Sequence, residues 1–581
     1  MTKSQKRYLI VAALALVLAA VVFLAVRSAA ADAGRTASAA DEAASTETIP
    51  AADTADEAAD EAAALVFSDS AITASGGSGC EISGTALTID EPGVYTVSGA
   101  CADGSIKIKK GTTGVTLVLD GLDLTSAATA PITCGKSSEV TIVAASGTVN
   151  ALADSAQNND DAYPENTAAE NAVIKCKDGS NVTLSGSGTL NITANGKNGI
   201  KSGATTEEEG EASLTIQELT LNIAADVNDA IHAGRTLNIP SGTLTIAAAD
   251  DAIHADYTLT IGADGTDGPC ITVTGCNEGL EAASLNIFSG SIDITATDDC
   301  LNAANSDLMG YDFAISISGG TIRACTSGGD GFDSNGSLTI SGGDIAVWTA
   351  NSADNQPLDA DGAITITGGT VLAAGGSSGM GMDLSATQGY VLFGSDTLGG
   401  MGGFPGGGMQ PPSGERPDDA AARPDGTQTG DRPTPPGSFG GAAGSASVTK
   451  GSTLAILSGD DTLFSADAPC DVRFVFFSSP LLTDGASYTL CAGGESVESA
   501  EAQTGGTQTG FGSGRPNGDP PAMPDGATPP EKPDGAAFDG ATPPEKPDGT
   551  AENGQPGTPP AGDPPTGAPG DAAQGAGSGD L

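Results

Sequence analysis

Asp229-Ala230-Ile231-His232-Ala233 recurs unchanged as Asp251-Ala252-Ile253-His254-Ala255, twenty-two residues later. The pattern continues as Glu278-Gly279-Leu280-Glu281-Ala282, Asp299-Cys300-Leu301-Asn302-Ala303 and Asp330-Gly331-Phe332-Asp333-Ser334. Gln356-Pro357-Leu358-Asp359-Ala360 and Met380-Gly381-Met382-Asp383 extend it, and Ala172-Val173-Ile174-Lys175 and Asn198-Gly199-Ile200-Lys201 are earlier members. Each unit sets an acidic or amide residue, a small residue, one aliphatic or Phe, and a polar side chain in fixed order. Such self-similarity is the mark of a repeat architecture.

Working outward, two further short β-type runs joined by a Ser-Gly-Gly type turn lie between units. Examples are Leu338-Thr339-Ile340-Ser341-Gly342-Gly343-Asp344-Ile345 and Ile364-Thr365-Ile366-Thr367-Gly368-Gly369-Thr370-Val371. Three short strands in each 21 to 31 residues suit a coil that returns above itself once per repeat. Equivalent strands then pair in parallel about 4.8 Å apart, and the apolar residues Ile231, Ile253, Leu280, Leu301, Phe332 and Leu358 form one interior column. The expected fold is all-β: a right-handed parallel β-helix with a short C-terminal β patch and a disordered Gly/Pro-rich tail. Propeller blades need about 40 residues, and a β-sandwich does not predict one invariant polar-small-apolar-polar column.

Composition agrees. The chain has 581 residues, 38% apolar but only 4% aromatic, with one Trp. Small and β-branched residues must therefore do most of the packing, which favours a narrow, regular interior. A formal net charge of -51 repels phosphate and argues against nucleic acid as a partner.

Lys3, Lys6 and Arg7 precede an uncharged apolar run from Tyr8 to Val26, then Arg27 and Ser28-Ala29-Ala30-Ala31-Asp32. This reads as an export signal. The run is also long enough to span a bilayer, so residues 1–31 are expected as a cleaved signal peptide or a signal anchor, both open. The expected location is extracellular or at the cell surface, with membrane contact only through this segment. There is no lipoprotein cysteine after the run and no sorting sequence or apolar tail at the other end, so neither route of attachment is expected. Ten cysteines fit an oxidising compartment. Cys80/Cys101 and Cys470/Cys491 share a spacing, and Cys134 and Cys176 are placed to stack on neighbouring rungs. Disulfides and buried free thiols both stay open.

Residues 32–66 read as an Ala/acidic linker, 67–395 as the β-helix, 396–446 as a Gly/Pro-rich insert, 447–493 as a β segment completing the domain, and 494–581 as the tail. In the tail, residues 526–535 recur as 540–549, and a Gly/Pro/Asp/Thr-rich segment cannot bury enough apolar surface to order itself.

Stacking turns the acidic positions into a surface. One column carries Asp229, Asp251, Glu278, Asp299 and Asp330; the other carries His232, His254, Glu281, Asn302, Asp333, Asp359 and Asp383. Carboxylates repeated at each rung repel unless protonated or bridged by metal. Oxygen-only clusters favour a hard cation, and calcium tolerates irregular shells best. The sharpest match is Asp333-Ser334-Asn335-Gly336 over Asp359-Ala360-Asp361-Gly362. Asp330, Asp333, Asn335, Asp359, Asp361, Asp298, Asp299, Glu278 and Glu281 are the candidate calcium ligands. Asx-turns that only satisfy backbone donors are the plainer alternative. Gly328-Gly329-Asp330-Gly331-Phe332-Asp333 resembles the start of a nonapeptide calcium roll, but it occurs once and the repeat is not nine residues. No EF-hand loop is present. His232 and His254, the two histidines of the chain, stand one rung apart. They read as surface ladder residues, with a transition-metal pair as the alternative.

The ladder, the Ser-Gly-Gly turns, Leu372-Ala373-Ala374-Gly375-Gly376-Ser377-Ser378-Gly379-Met380, the following Gly/Pro insert and the strand through Tyr488-Thr489-Leu490 together resemble a bacterial family of extracellular carbohydrate-binding β-helix proteins. The resemblance covers roughly residues 67 to 493. Family members are similar in fold to calcium-dependent pectate lyases and bind acidic or cellulosic plant polysaccharides with calcium. The insert is longer and more proline-rich here than the family pattern.

Three functions compete. The first is a non-catalytic binding module for an acidic, polygalacturonate-like polysaccharide, with bound calcium bridging protein and sugar carboxylates. Its candidate ligand contacts are Trp348, His232, His254, Lys201 and Arg235; Tyr257, Tyr311 and a few Phe residues are the other aromatics, and packing of Trp348 against the coil is the equal alternative. The second is a structural stalk or adhesin. The third is a calcium-dependent lyase, which needs a base near the metal. Lys175, Lys201, Arg235 and Arg323 are the nearest basic residues, and none falls within the densest acidic rungs, so no catalytic residue is assigned. A monomer is expected.

Overall fold

The computed structural model describes residues 63–203, 213–308, 310–350, 355–375, 382–394 and 447–509. The expected export segment, most of the acidic linker, the Gly/Pro insert and the tail beyond 509 lie outside the described residues, as does the start of the repeat unit at 380–383.

Alternation of one apolar and one polar residue drives most of the ladder strands. In Thr236–Ile239, Leu237 and Ile239 are buried while Thr236 and Asn238 are half-buried. Among the described residues there is no helix, and the strands join one 34-stranded sheet and one 4-stranded sheet. In the repeat region each strand pairs in parallel with its equivalent in the next unit. The unit Ile231–Ala233, Thr236–Ile239 and Thr243–Ala248 shows the rule. Its first strand pairs with Ile200 to Ser202 before it and Ile253 to Ala255 after it. Its second pairs with Ser213 to Thr215 and with Thr258 to Ile261, and its third with Thr220–Ala225 and with Cys270–Gly275.

The interior column follows directly. Leu87, Ile106, Ile132, Ile174, Ile200, Ile231, Ile253, Leu280, Leu301 and Phe332 are successive register partners, and an isolated parallel bridge joins Phe332 to Leu358. All are buried, each contributing about 1.5–3 kcal/mol of apolar burial. The small position of the repeat exists because the next rung leaves no room. A Cβ on Gly279 would lie 2.2 Å from the carbonyl oxygen of Cys300, and one on Gly331 would lie 2.2 Å from Val347 Cγ1. In the Ser-Gly-Gly type turns the second glycine takes a left-handed conformation, φ 95° at Gly343 and 82° at Gly369.

Both ends of the ladder change pairing. Ala64–Phe67 pairs antiparallel with Ile72–Ser75, and Phe474–Ser478 runs antiparallel to Thr370–Gly375 and Met382–Phe393. Capping strands of this kind cover backbone groups that would otherwise invite another chain. Thr453–Ser458, Asp461–Asp467, Ser487–Ala492 and Glu495–Glu501 form the separate antiparallel sheet.

Two boundaries differ from the sequence reading. The first described strand begins at Ala63 rather than 67, with Ala63, Leu65 and Phe67 buried on its alternate positions. It also continues past 493. Glu495–Glu501 and Gln503–Thr509 are strands, although their few apolar residues hide the alternation. All ten cysteines are free thiols; Cys134 and Cys176 are register partners on adjacent rungs.

Candidate functional site

The polar side chain that follows each core residue leaves the ladder on one face. Lys175, Lys201, His232, His254, Glu281, Asn302 and Asp333 are consecutive register partners, and Asp359 follows Leu358 on the next rung. The column therefore runs from basic through imidazole to acidic. Burial depresses the ammonium groups of Lys175 and Lys201; for Lys201 the carboxylates of Asp229 and Asp256 oppose it.

At the acidic end, Asp330, Asp333 and Asp359 each offer an oxygen within 4.8 Å of the others. Burial, then the repulsion of neighbouring carboxylates, pushes Asp333 up to about 6. Burial also lifts Asp330 to about 6 against a hydrogen bond from the Gln356 amide, and raises Asp359. Asp299 is pushed up to about 7 by burial, although its Oδ1 accepts the Asp330 amide at 2.6 Å. The first acidic position thus has a structural duty as well: its carboxylate caps an amide of the next rung.

The other predicted ligands are spread out. Asn335, Asp361 and Asp298 are exposed, and none of the three belongs to the oxygen triad. Glu278 accepts a 2.8 Å hydrogen bond from Asn302 Nδ2, and Glu281 turns instead toward His254. The Asn302 bond fixes which amide atom is oxygen. Asn302 Oδ1 is then left buried without a hydrogen-bond partner, as is Gln356 Oε1 one rung beyond Asp330. A triad of carboxylates is a donor set suited to a hard, oxygen-seeking cation.

The histidines are more enclosed than a surface ladder implies, with side chains 18% and 17% exposed. Their rings stack at 4.5 Å between centroids and 4° between planes. Asp229 Oδ2 lies 2.8 Å from His232 Nδ1, and Asp251 Oδ2 2.9 Å from His254 Nδ1. On the other edge, Asp256 Oδ1 is 3.3 Å from His232 Nε2 and 3.2 Å from His254 Nε2. Burial opposes a charge on His254, but Asp251, Asp256 and Glu281 outweigh it and push it up to about 12. Burial likewise opposes the Asp256 carboxylate, and the two imidazoles more than offset it, leaving Asp256 well below the usual carboxylate range.

This cluster lines a cavity of 390 Å³ with Tyr257, Asn305 and Asp307 among its other walls. Tyr257 sits edge-on to Tyr311 at 6.2 Å, and Tyr311 adjoins Phe313 at 5.6 Å. Arg235 lies over the Tyr257 ring at 4.7 Å and so belongs to the aromatic group. Of the two readings of Trp348, packing against the coil is the one the structure shows. It is 4% exposed and packs with Leu372, Phe477 and Leu454, so it presents no face to a sugar. Sequence reasoning missed Asp256, which lies outside the repeated pentapeptide. Asp256 follows the pentapeptide, in the link to the next strand, at the position that Gly234 holds one rung earlier.

A family model described as carbohydrate-binding domain-containing protein matches residues 83–379 and 258–469. A carbohydrate-binding domain-containing protein of Acetivibrio thermocellus is 34% identical over 139 residues, which cover 24% of this chain and 47% of that one. The match thus spans about half the length of this curated relative. A solved structure of a polysaccharide lyase-like protein from C. thermocellum, a gadolinium derivative, is 22% identical, with a TM-score of 0.32 over 52% of this chain and 96% of that one. On the family match, which takes in more than half of its length, the chain belongs to the carbohydrate-binding domain-containing proteins.

Proposed function

We propose that this carbohydrate-binding protein is a non-catalytic, exported right-handed parallel β-helix that holds acidic polysaccharide through calcium. The observation that carries this reading is the oxygen triad of Asp330, Asp333 and Asp359, with no cationic side chain among its members. Calcium bound there would keep open positions for a uronate carboxylate, which the bare acidic face repels. The export segment supplies the compartment in which such polymers occur.

The column also supports a non-catalytic role. Lys201, the half-buried lysine nearest the acidic end, is five register steps from Asp333, about 24 Å at the spacing of neighbouring strands. A base that far from the metal cannot take a proton from the same sugar. The test is binding of the full chain to polygalacturonate with calcium or with chelator. Retention that is indifferent to chelator, or intact in Asp333→Asn/Asp359→Asn, refutes calcium bridging.

A further inference from the structure

We propose that His232, His254 and Asp256 form a second metal site, selective for a borderline divalent ion such as zinc and independent of the acidic triad.

The three side chains offer Nε2, Nε2 and Oδ1 within 4.8 Å of one another. Bonds of about 2.0–2.1 Å in a tetrahedral shell place ligand atoms about 3.3 Å apart. Asp256 Oδ1 already stands 3.3 Å and 3.2 Å from the two Nε2 atoms. The rings themselves are parallel, so their lone pairs run side by side. A shared metal draws them together about the soft Cβ–Cγ torsions and displaces the proton that Asp256 holds at Nε2 of His254.

Two observations beyond the cluster point to an ion. Each ring is held from behind, Asp229 on Nδ1 of His232 and Asp251 on Nδ1 of His254. A carboxylate on the far nitrogen fixes the tautomer that presents Nε2 to a metal and makes that nitrogen more basic. The front of the group faces the 390 Å³ cavity with Tyr257, Asn305 and Asp307. A fourth coordination position is thereby left to water or a ligand in the cavity. Two imidazoles and one carboxylate suit zinc, copper, nickel or cobalt rather than calcium, which prefers oxygen alone. The site and the triad also share no residue, so either can fail without the other.

The test uses the full chain, freed of metal by chelator and kept reduced. Cobalt should give visible bands of a tetrahedral centre without thiolate charge-transfer absorption, and zinc should displace it with at least tenfold higher affinity than calcium shows for the same site. Asp256→Asn should weaken zinc binding at least tenfold, and Asp229→Asn, acting through His232, by 10–100-fold. His232→Gln should abolish the cobalt bands. If His232→Gln fails to fold, Asp256→Asn decides alone, because that side chain is 31% exposed and keeps its shape. Asp333→Asn/Asp359→Asn should leave zinc binding unchanged. Thiolate bands, zinc affinity indifferent to Asp256→Asn, or no cobalt spectrum at all would overturn the proposal.

Discussion

Replacing Asp333 by Asn should make the metal-free protein more stable at pH 8 and deprive it of its response to calcium. Two unit charges 4.8 Å apart repel by about 3.5 kcal/mol at an effective dielectric constant of 20. The triad is half-buried and screened on its open side, so removing one carboxylate should relieve about 1–2 kcal/mol. Burial first, and repulsion after it, hold Asp333 at about 6 in the folded chain, above its unfolded value near 4. The folded state therefore binds this proton more tightly. Its contribution to stability is complete below about pH 4 and is lost as pH rises through 6. Wild type and Asp333→Asn should thus melt together near pH 4 and diverge toward pH 8 in chelator. Calcium at a hundredfold excess over its dissociation constant adds about 2.7 kcal/mol to the wild type. At about 2 cal/mol/K per residue over roughly 400 residues, that is about 3 °C, against a mutant gain of about 1–2 °C without calcium. Thermal melts of both proteins at pH 4, 6 and 8, with calcium or chelator, read every arm. A mutant less stable than wild type in chelator at pH 8, or one that keeps the calcium increment, would refute the reasoning.

Leu301→Asp should abolish folding, since it places an unpaired charge in a fully buried column; a cooperative melt within about 10 °C of wild type, where 1 kcal/mol moves the midpoint only about 1 °C, would contradict the register. Gly279→Val should cost at least about 3 kcal/mol, because the backbone carbonyl of Cys300 cannot move aside; urea midpoints measure it, and a loss under 1 kcal/mol would be too small for the clash. Trp348 fluorescence should be blue-shifted, poorly quenched by acrylamide and unchanged by polysaccharide; quenching on binding would mean that its ring meets the sugar. Tyr311→Ala, at a ring 37% exposed beside Tyr257, should weaken polysaccharide retention several-fold without moving the melting midpoint.

The interior column was legible because the repeat states it twice in identical letters, and period-2 alternation then forces Ile231 and Ile253 to the same side. The triad was legible for the same reason: Asp330, Asp333 and Asp359 occupy repeat positions, so stacking alone brings them together. Asp256 was not, because it stands just outside the repeated pentapeptide, where the preceding unit has Gly234 and so no acidic column marks the position. Nor was the burial of Trp348. Its strand, Asp344–Thr349, buries five of six residues between the ladder and the second apolar cluster, and a two-sided strand carries no alternation to read. Glu495–Glu501 was missed for the opposite reason, being a polar edge strand whose partner, Ser487–Ala492, supplies the apolar face.

The identical register of Ile231 with Ile253 and of Thr220–Ala225 with Thr243–Ala248 has a consequence for how such a chain changes length. Excising residues 230–251 would join Asp229 to Ala252 and regenerate the sequence Asp-Ala-Ile-His-Ala at the seam. Every remaining column would meet an equivalent side chain, so the splice would be invisible to the packing on either side. The loss would be one thickness of backbone and one imidazole. Gain or loss of one such unit can therefore lengthen or shorten the ladder while leaving both capped ends untouched.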